Sequence, residues 1–406
     1  MLNIFDEMTK RNMVEQTTDE EQVKNLLSNS SISFYIGYDA TADSLHIGHF
    51  VQLSIMRMLQ KAGHHPIVLI GGGTTKVGDP TGKTDMRMLM DDETINYNAS
   101  RFKVQMSKFF DLSEDKTTFV NNDDWLSKLN YIEFLREYGV HFSINRMLTA
   151  EAFKQRMERG LSFFELNYMI MQSYDFLHLF RTKNCIMQFG GNDQWSNIIS
   201  GVDLIRRVEG KEAYGMTFKL LTTKEGIKMG KTAKGAVWLD PERTSPYDFY
   251  QYWRNIPDSS VTNCMKLLTE IPLEEIEAIE KLPGEELNAQ KERLAFTLTE
   301  TIHSREDALA AQNASKALFV GGGDLEGMPS TEISEADFSD MDILDLLIKC
   351  DLTKSRGEGR RLVEQGGITI DDNKIDDSGF NISKEFLQKG IIIRKGKKIY
   401  HRVTLV

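Results

Sequence analysis

Two short apolar runs, ISFYIGY at residues 32–38 and PIVLIGG at 66–72, are rich in β-branched and aromatic residues and end in glycine. That pattern predicts buried strands. Between them, residues 47–62 repeat their apolar positions at helical spacing. The three segments form a β-α-β unit, from which parallel sheets with helices on their faces are built. Further strands are predicted at 117–121 and 185–190, and helices at about 99–111, 130–138, 146–157, 163–180 and 193–208. Residues 1–240 therefore read as a parallel-sheet α/β domain with a helical insertion at about 125–180.

After Asp240 the strand signal gives way to helices at 246–254, 259–269, 273–281, 285–304 and 305–317, an α-helical domain over 241–320. The segment GGGDLEGMPSTEISEADFSD, 321–340, replaces apolar periodicity with Gly, Ser and acids and reads as a linker. Residues 341–406 resume with two short helices and then the runs GITI and IIIRKGKKIYHRVTLV, the pattern of a small α+β module.

At 406 residues, 40% hydrophobic and 27% charged, the chain has globular composition and room for two or three cores. Its three cysteines, Cys185, Cys264 and Cys350, form no CxxC pair, so neither a disulfide framework nor a structural zinc site is expected. No run approaches a membrane span, and MLNIFDEMTK lacks a secretory pattern. A cytoplasmic protein is expected. The net charge of −11 argues against a nonspecific polyanion binder, yet residues 352–406 hold 12 Lys and Arg against 7 Asp and Glu. That basic end is either a solvated face or a contact for a polyanion such as nucleic acid.

Five segments could carry chemistry. LHIGH, 45–49, follows a strand and opens a helix, where unpaired N–H groups suit phosphate. Gly48 lets a ligand approach the backbone, and His46 and His49 share one face; no third ligand stands at metalloprotease spacing, so no metal site is expected. GDPTGKT, 78–84, has three residues between its glycines where a P-loop needs four, but Lys83 and Arg87 offer positive charge and Asp79 an acceptor. In ELNYMIMQSYDFLHLF, 165–180, Tyr168, Gln172 and Asp175 lie on one face of an apolar helix. Such a stripe is either a satisfied core network or the wall of a site for a small polar ligand. QFGGNDQW, 188–195, is a second strand-to-helix turn, whose acid either accepts from ribose hydroxyls or caps the helix. KMGKT, 228–232, puts two lysines three apart on a glycine-containing loop, able to close over a polyphosphate but by itself an ordinary basic loop.

Taken together and in this order, the segments resemble the class I aminoacyl-tRNA synthetases of the bacterial tyrosyl branch. HIGH is complete at 46–49, and KMGKT stands where the family carries KMSKS, with Gly230 and Thr232 in the serine positions. YIGYDATADSLHIGH, GDPTGK, NYMIMQSYDF and QFGGNDQW extend the likeness across most of residues 1–240. TKSRGEGRRLVEQGGITIDDNKI, 353–375, resembles the S4-like RNA-binding fold that ends this branch. The resemblance implies a Rossmann-like catalytic domain followed by an α-helical domain and an S4-like domain.

It also implies roles. Tyr35 and Asp175 would bond a tyrosine phenol, and Asp79, Tyr168 and Gln172 its α-ammonium. Asp39, Gly191, Asp193 and Gln194 would address ribose and the amino acid carboxylate. His46, His49 and Thr41, with Gly48 beside them, would contact ATP and the departing pyrophosphate, while Lys228, Lys231 and Thr232, aided by Lys83 and Arg87, would bind the phosphates in the transition state. Mg²⁺ would come with ATP. Arg206 and Arg207 would meet the tRNA acceptor stem and Lys354, Arg356, Arg360 and Arg361 the anticodon side, across a homodimer. Two alternatives stand beside this reading: the sibling tryptophanyl enzyme, disfavoured by Tyr35 and Asp175, and a noncatalytic RNA-binding protein, disfavoured by the intact histidines and lysines.

Overall fold

In the computed structural model, six strands form the sheet of the first unit: β1 (Val14–Thr17), β2 (Ser33–Tyr38), β3 (His65–Ile70), β4 (Thr118–Asn121), β5 (Cys185–Gly191) and β6 (Tyr214–Phe218). The structure describes residues 3–79, 90–150, 153, 157, 158, 160–223, 226, 228–232, 235–284, 286–320, 329–334, 341–371, 373–396 and 399–406. The strand order is β1-β6-β5-β2-β3-β4. All neighbours are parallel except β1, which runs antiparallel to β6. From β2 the chain builds outward through β3 to β4, then returns to the other side of β2 for β5 and β6. The order reverses between β2 and β5, and the crevice at their carboxyl ends is where such sheets bind ligands.

The four predicted strands are present, and β3, HPIVLI, is buried at five of its six positions, as expected of a parallel strand covered on both faces. β1 and β6 were not predicted. VEQT is a partly exposed edge strand with no apolar run, and YGMTF carries a glycine that weakens the pattern.

The helices differ from expectation mainly at their ends. The first turn of the predicted 47–62 helix is a separate 3₁₀ turn, Ile47–His49, ahead of Phe50–Lys61. The helix expected at 99–111 is Asp92–Met106, started by Asp91, whose side chain accepts from Thr94 N–H; its polar first half hides the period. Most of 151–156 lies outside the described residues, and the helix before it is Ile144–Leu148. The long helix Phe163–Lys183 opens with a Ser162–Glu165 capping box and closes at Asn184 in the left-handed conformation, which turns the chain directly into β5.

Two compact units emerge: residues 1–244 with 254–302, and residues 245–253 with 303–406. The helices of 241–320 are thus shared between them. The second unit holds the helices Ile343–Lys349, Arg356–Glu364 and Lys384–Gln388 and a five-stranded sheet over a core that includes Leu344, Leu347, Val363, Ile368, Ile393 and Val403. One expectation is corrected here. Ser330–Ile333, read as linker, pairs in parallel with Ile399–Leu405 as an edge strand, its four residues too few to show an alternation.

Candidate active site

A cavity of about 410 Å³ opens at the carboxyl ends of β2 and β5. Tyr35, Asp39, Thr41, His46, His49, Asp79, Tyr168, Gln172, Asp175, Gly191, Asp193 and Gln194 all line it. Strand β2 supplies Tyr35, the long helix supplies Tyr168, Gln172 and Asp175 from one face, and the end of β5 with the turn after it supplies the last three.

At the closed end, Asp175 is 1% exposed, accepting from Asn122 Nδ2 at 2.8 Å and Trp125 Nε1 at 2.7 Å. Burial pushes its carboxyl up to about 7 against the pull of those two donors. Beside it, the Tyr35 hydroxyl is buried with no hydrogen-bond partner among the described residues. Burial, then the charge of Asp175, raises its pKa, so it stays a neutral donor. An orphaned hydroxyl and a costly carboxylate at one end of a cavity suit a ligand bearing a hydroxyl of its own.

The arrangement continues as a hydrogen-bonded chain. Asn122 Nδ2 also donates to Thr74 Oγ1 at 3.0 Å, Thr74 Oγ1 donates to Asp39 Oδ1 at 2.9 Å, and Tyr168 Oη donates to Asp39 Oδ2 at 3.1 Å. Asp39 is therefore tied to Tyr168, at the end where the sequence placed the ammonium-binding groups. Gly71 makes room for it, since a Cβ there would stand 2.2 Å from Asp39 Oδ1. On the opposite wall Gln194 Nε2 donates to Asp79 Oδ2 at 2.8 Å, and Asn197 Nδ2 reaches both Gln194 Oε1 and Gln172 Oε1 at 3.0 Å. Sequence reasoning missed Asn122, Trp125, Thr74 and Asn197. The first two stand just past the carboxyl end of β4, where polar residues beside a parallel strand are a usable signal.

At the mouth, His46 Nδ1 accepts from Gly48 N–H at 3.0 Å and His49 Nδ1 accepts from His46 N–H at 3.2 Å. Those bonds assign the proton of each neutral ring to Nε2, so two Nε2–H donors are presented. The rings stack with centroids 4.1 Å apart, and burial followed by the neighbouring ring lowers the pKa of His49. Gly48 is required, because a Cβ there would lie 2.7 Å from the His46 ring.

The lysine loop is joined to this turn. Ile47 N–H donates to Val237 O at 3.0 Å, Val237 N–H donates to Gly230 O at 2.9 Å, and Lys231 and Thr232 pair as backbone with Ala236 and Gly235. Lys228 is exposed, and its charge lowers the pKa of Asp193 against the larger effect of burial, which raises it. Lys83 and Arg87 lie outside the described residues. Arg206 and Arg207 end the helix Trp195–Glu209 and are exposed, the first paired with Asp203 at 3.0 Å, the second donating to His141 O at 2.6 Å. Lys354, Arg360 and Arg361 are exposed on the second unit, where Arg356 is paired with Asp342 and Asp345.

The family model for class I tRNA synthetases of the tryptophan and tyrosine type matches residues 27–320, and that for the tyrosine–tRNA ligase SYY-like C-terminal domain matches 323–403. The chain is 58% identical to a tyrosine–tRNA ligase of Acetivibrio thermocellus and 54% identical to one of Clostridium botulinum, with all of both chains covered in each case. The chain belongs to the bacterial tyrosine–tRNA ligase family.

A solved relative of this family, a C-terminally truncated mitochondrial tyrosyl-tRNA synthetase from Aspergillus nidulans, matches with TM-score 0.70 and 27% identity over 79% of this chain and 95% of that one. A tryptophanyl-tRNA synthetase from Encephalitozoon cuniculi shares the fold at TM-score 0.55 and 15% identity over 75% of this chain and 87% of that one.

Proposed function

We propose that this chain activates L-tyrosine with Mg-ATP to tyrosyl-adenylate and pyrophosphate, then transfers the tyrosyl group to the 3′-terminal ribose of tRNA(Tyr). The observation that carries this is the buried pair at the closed end of the cavity: Asp175, fixed by Asn122 and Trp125, beside the unpartnered Tyr35 hydroxyl. A phenol donates to the first and accepts from the second. Phenylalanine would leave both unsatisfied.

Asp79, Tyr168 and Gln172 hold the α-ammonium, with Asp39 behind Tyr168 adding negative charge. Asp39, Gly191, Asp193 and Gln194 meet ribose and the tyrosine carboxylate, while Thr41, His46, Gly48 and His49 meet ATP. Lys228, Lys231 and Thr232, with Lys83 and Arg87, gather charge on the α- and β-phosphates as the tyrosine carboxylate attacks the α-phosphorus. That carboxylate is ionised at neutral pH, so the step needs no general base, and catalysis is positioning plus charge stabilisation. Mg²⁺ arrives on the ATP phosphates.

For the tRNA step, Arg206 and Arg207 serve the acceptor stem, and Lys354, Arg356, Arg360 and Arg361, on an S4-like domain after the α-helical one, serve the anticodon side. A homodimer is supported by exposed apolar side chains on the first unit, among them Ile132, Val140, Phe163 and Phe164. No helix among the described residues is long and apolar enough to cross a membrane, and the substrates place the work in the cytoplasm. The test is ATP–pyrophosphate exchange with each of the twenty amino acids and no tRNA. Tyrosine alone should support exchange; tryptophan-dependent exchange would reassign the pocket, and no exchange would refute adenylation.

A further inference from the structure

The segment that carries His46 and the segment that leaves the lysine loop run side by side. Leu239 N–H donates to Leu45 O at 2.9 Å, Asp240 N–H donates to Ser44 Oγ at 3.2 Å, and His46 and Trp238 form an antiparallel bridge. One side chain spans the two from the last turn of the helix Asp92–Met106. Gln105, 9% exposed, accepts from Leu45 N–H at 2.8 Å through Oε1 and donates to Asp240 Oδ2 at 3.4 Å through Nε2. Asp240 is itself 4% exposed; its Oδ2 also accepts from Arg101, and its Oδ1 accepts from Glu242 N–H at 3.0 Å.

Each end of the Gln105 amide thus holds a different catalytic segment. Without it, a buried N–H and a buried carboxylate each lose a partner, and the two segments are held by the bonds of Leu239, Asp240 and Ile47 alone, with more freedom to shift. We propose that Gln105 and Asp240 are positioning residues for adenylate formation, fixing the register of the His46–His49 turn against the Lys228–Lys231 loop so that both meet one triphosphate. The proposal rests on assigning those histidines and lysines to ATP. The tyrosine-holding groups come from β2, the segment that follows β3, the long helix and the end of β5 with its turn, so tyrosine affinity is independent of this clamp.

The test measures tyrosine dissociation constants and single-turnover adenylate formation on the full-length enzyme. Gln105→Met keeps the volume and loses both hydrogen bonds; it should slow adenylation on the order of tenfold or more and leave tyrosine affinity within about twofold. The rate is read again at a temperature well below the unfolding midpoint of Gln105→Met, where a merely destabilising change would leave the folded enzyme at its wild-type rate and the loss of the clamp should persist.

A wild-type rate in the folded Gln105→Met enzyme, or a parallel loss of tyrosine affinity, would overturn the proposal. Lys231→Ala runs alongside. If it is slow while Gln105→Met is normal, the clamp alone is wrong; if it too is normal, the ATP assignment fails and takes the clamp with it.

Discussion

Trp125 donates its indole N–H to Asp175 Oδ1 at 2.7 Å while its ring stacks on His178 with centroids 4.3 Å apart. The stacking fixes the indole, and the indole with Asn122 fixes the carboxylate. Asp175 is thereby held at one orientation before any ligand arrives, so a phenol meets an acceptor that need not reorganise.

Replacing Trp125 by Phe keeps an aromatic ring beside His178 and removes the donor to Asp175 along with one ring of the indole. A hydrogen bond to a charged group contributes about 1.5–3 kcal/mol, so tyrosine affinity should fall roughly 10- to 100-fold while phenylalanine affinity changes little. Equilibrium binding of both amino acids checks this.

Tyrosine binding should depend on pH with a definite sign. Asp175 in the empty enzyme has its carboxyl raised to about 7, and the phenol O–H needs the ionised form as acceptor. Above about pH 7 affinity should be flat. Below it, each pH unit should weaken tyrosine binding up to about tenfold, until the lower pKa of the complex is reached, and binding should release a proton in that range. Phenylalanine should show no such loss. Calorimetry in buffers of different ionisation enthalpy measures the proton.

Gly230 takes a φ of +93°, and a Cβ there would lie 2.6 Å from Ile47 Cγ1. Gly230→Ala therefore strains the loop and pushes it off the histidine turn. The adenylation rate should fall at least about tenfold with tyrosine affinity unchanged, read from single-turnover kinetics.

Phe163 is 64% exposed and Ile132 61% exposed. If these exposed apolar side chains are covered by a second copy, Phe163→Glu with Ile132→Glu should shift the enzyme toward monomer in sedimentation equilibrium. The described fold of each chain should be retained, since neither residue is buried.

The catalytic unit was legible where one segment carries its own pattern. Spacing put Tyr168, Gln172 and Asp175 on one helical face and His46 and His49 after a strand, but left core network and ligand wall open; only the family resemblance gave these residues roles. What was hidden depends on contacts between distant segments. Asn122 and Trp125 bond Asp175 across more than forty residues, and Gln105 reaches Asp240 from a helix whose first half looks polar. The edge strands Val14–Thr17 and Ser330–Ile333 are short and partly exposed, and only pairing with a neighbour makes them strands.

In the proposed site, Tyr35 and Asp175 together read the phenol. The measurement that tests it most directly is the ratio of kcat/KM for tyrosine over phenylalanine in the exchange reaction, in the wild-type enzyme and in Tyr35→Phe. Tyrosyl-tRNA synthetases as a class reach a ratio of roughly 10⁵ without editing, a figure carried over from that class. The account predicts a ratio of that order in the wild type and a fall of about tenfold or more in Tyr35→Phe, borne mainly by tyrosine. An unchanged ratio in the variant, or a wild-type enzyme that barely separates the two amino acids, would contradict it.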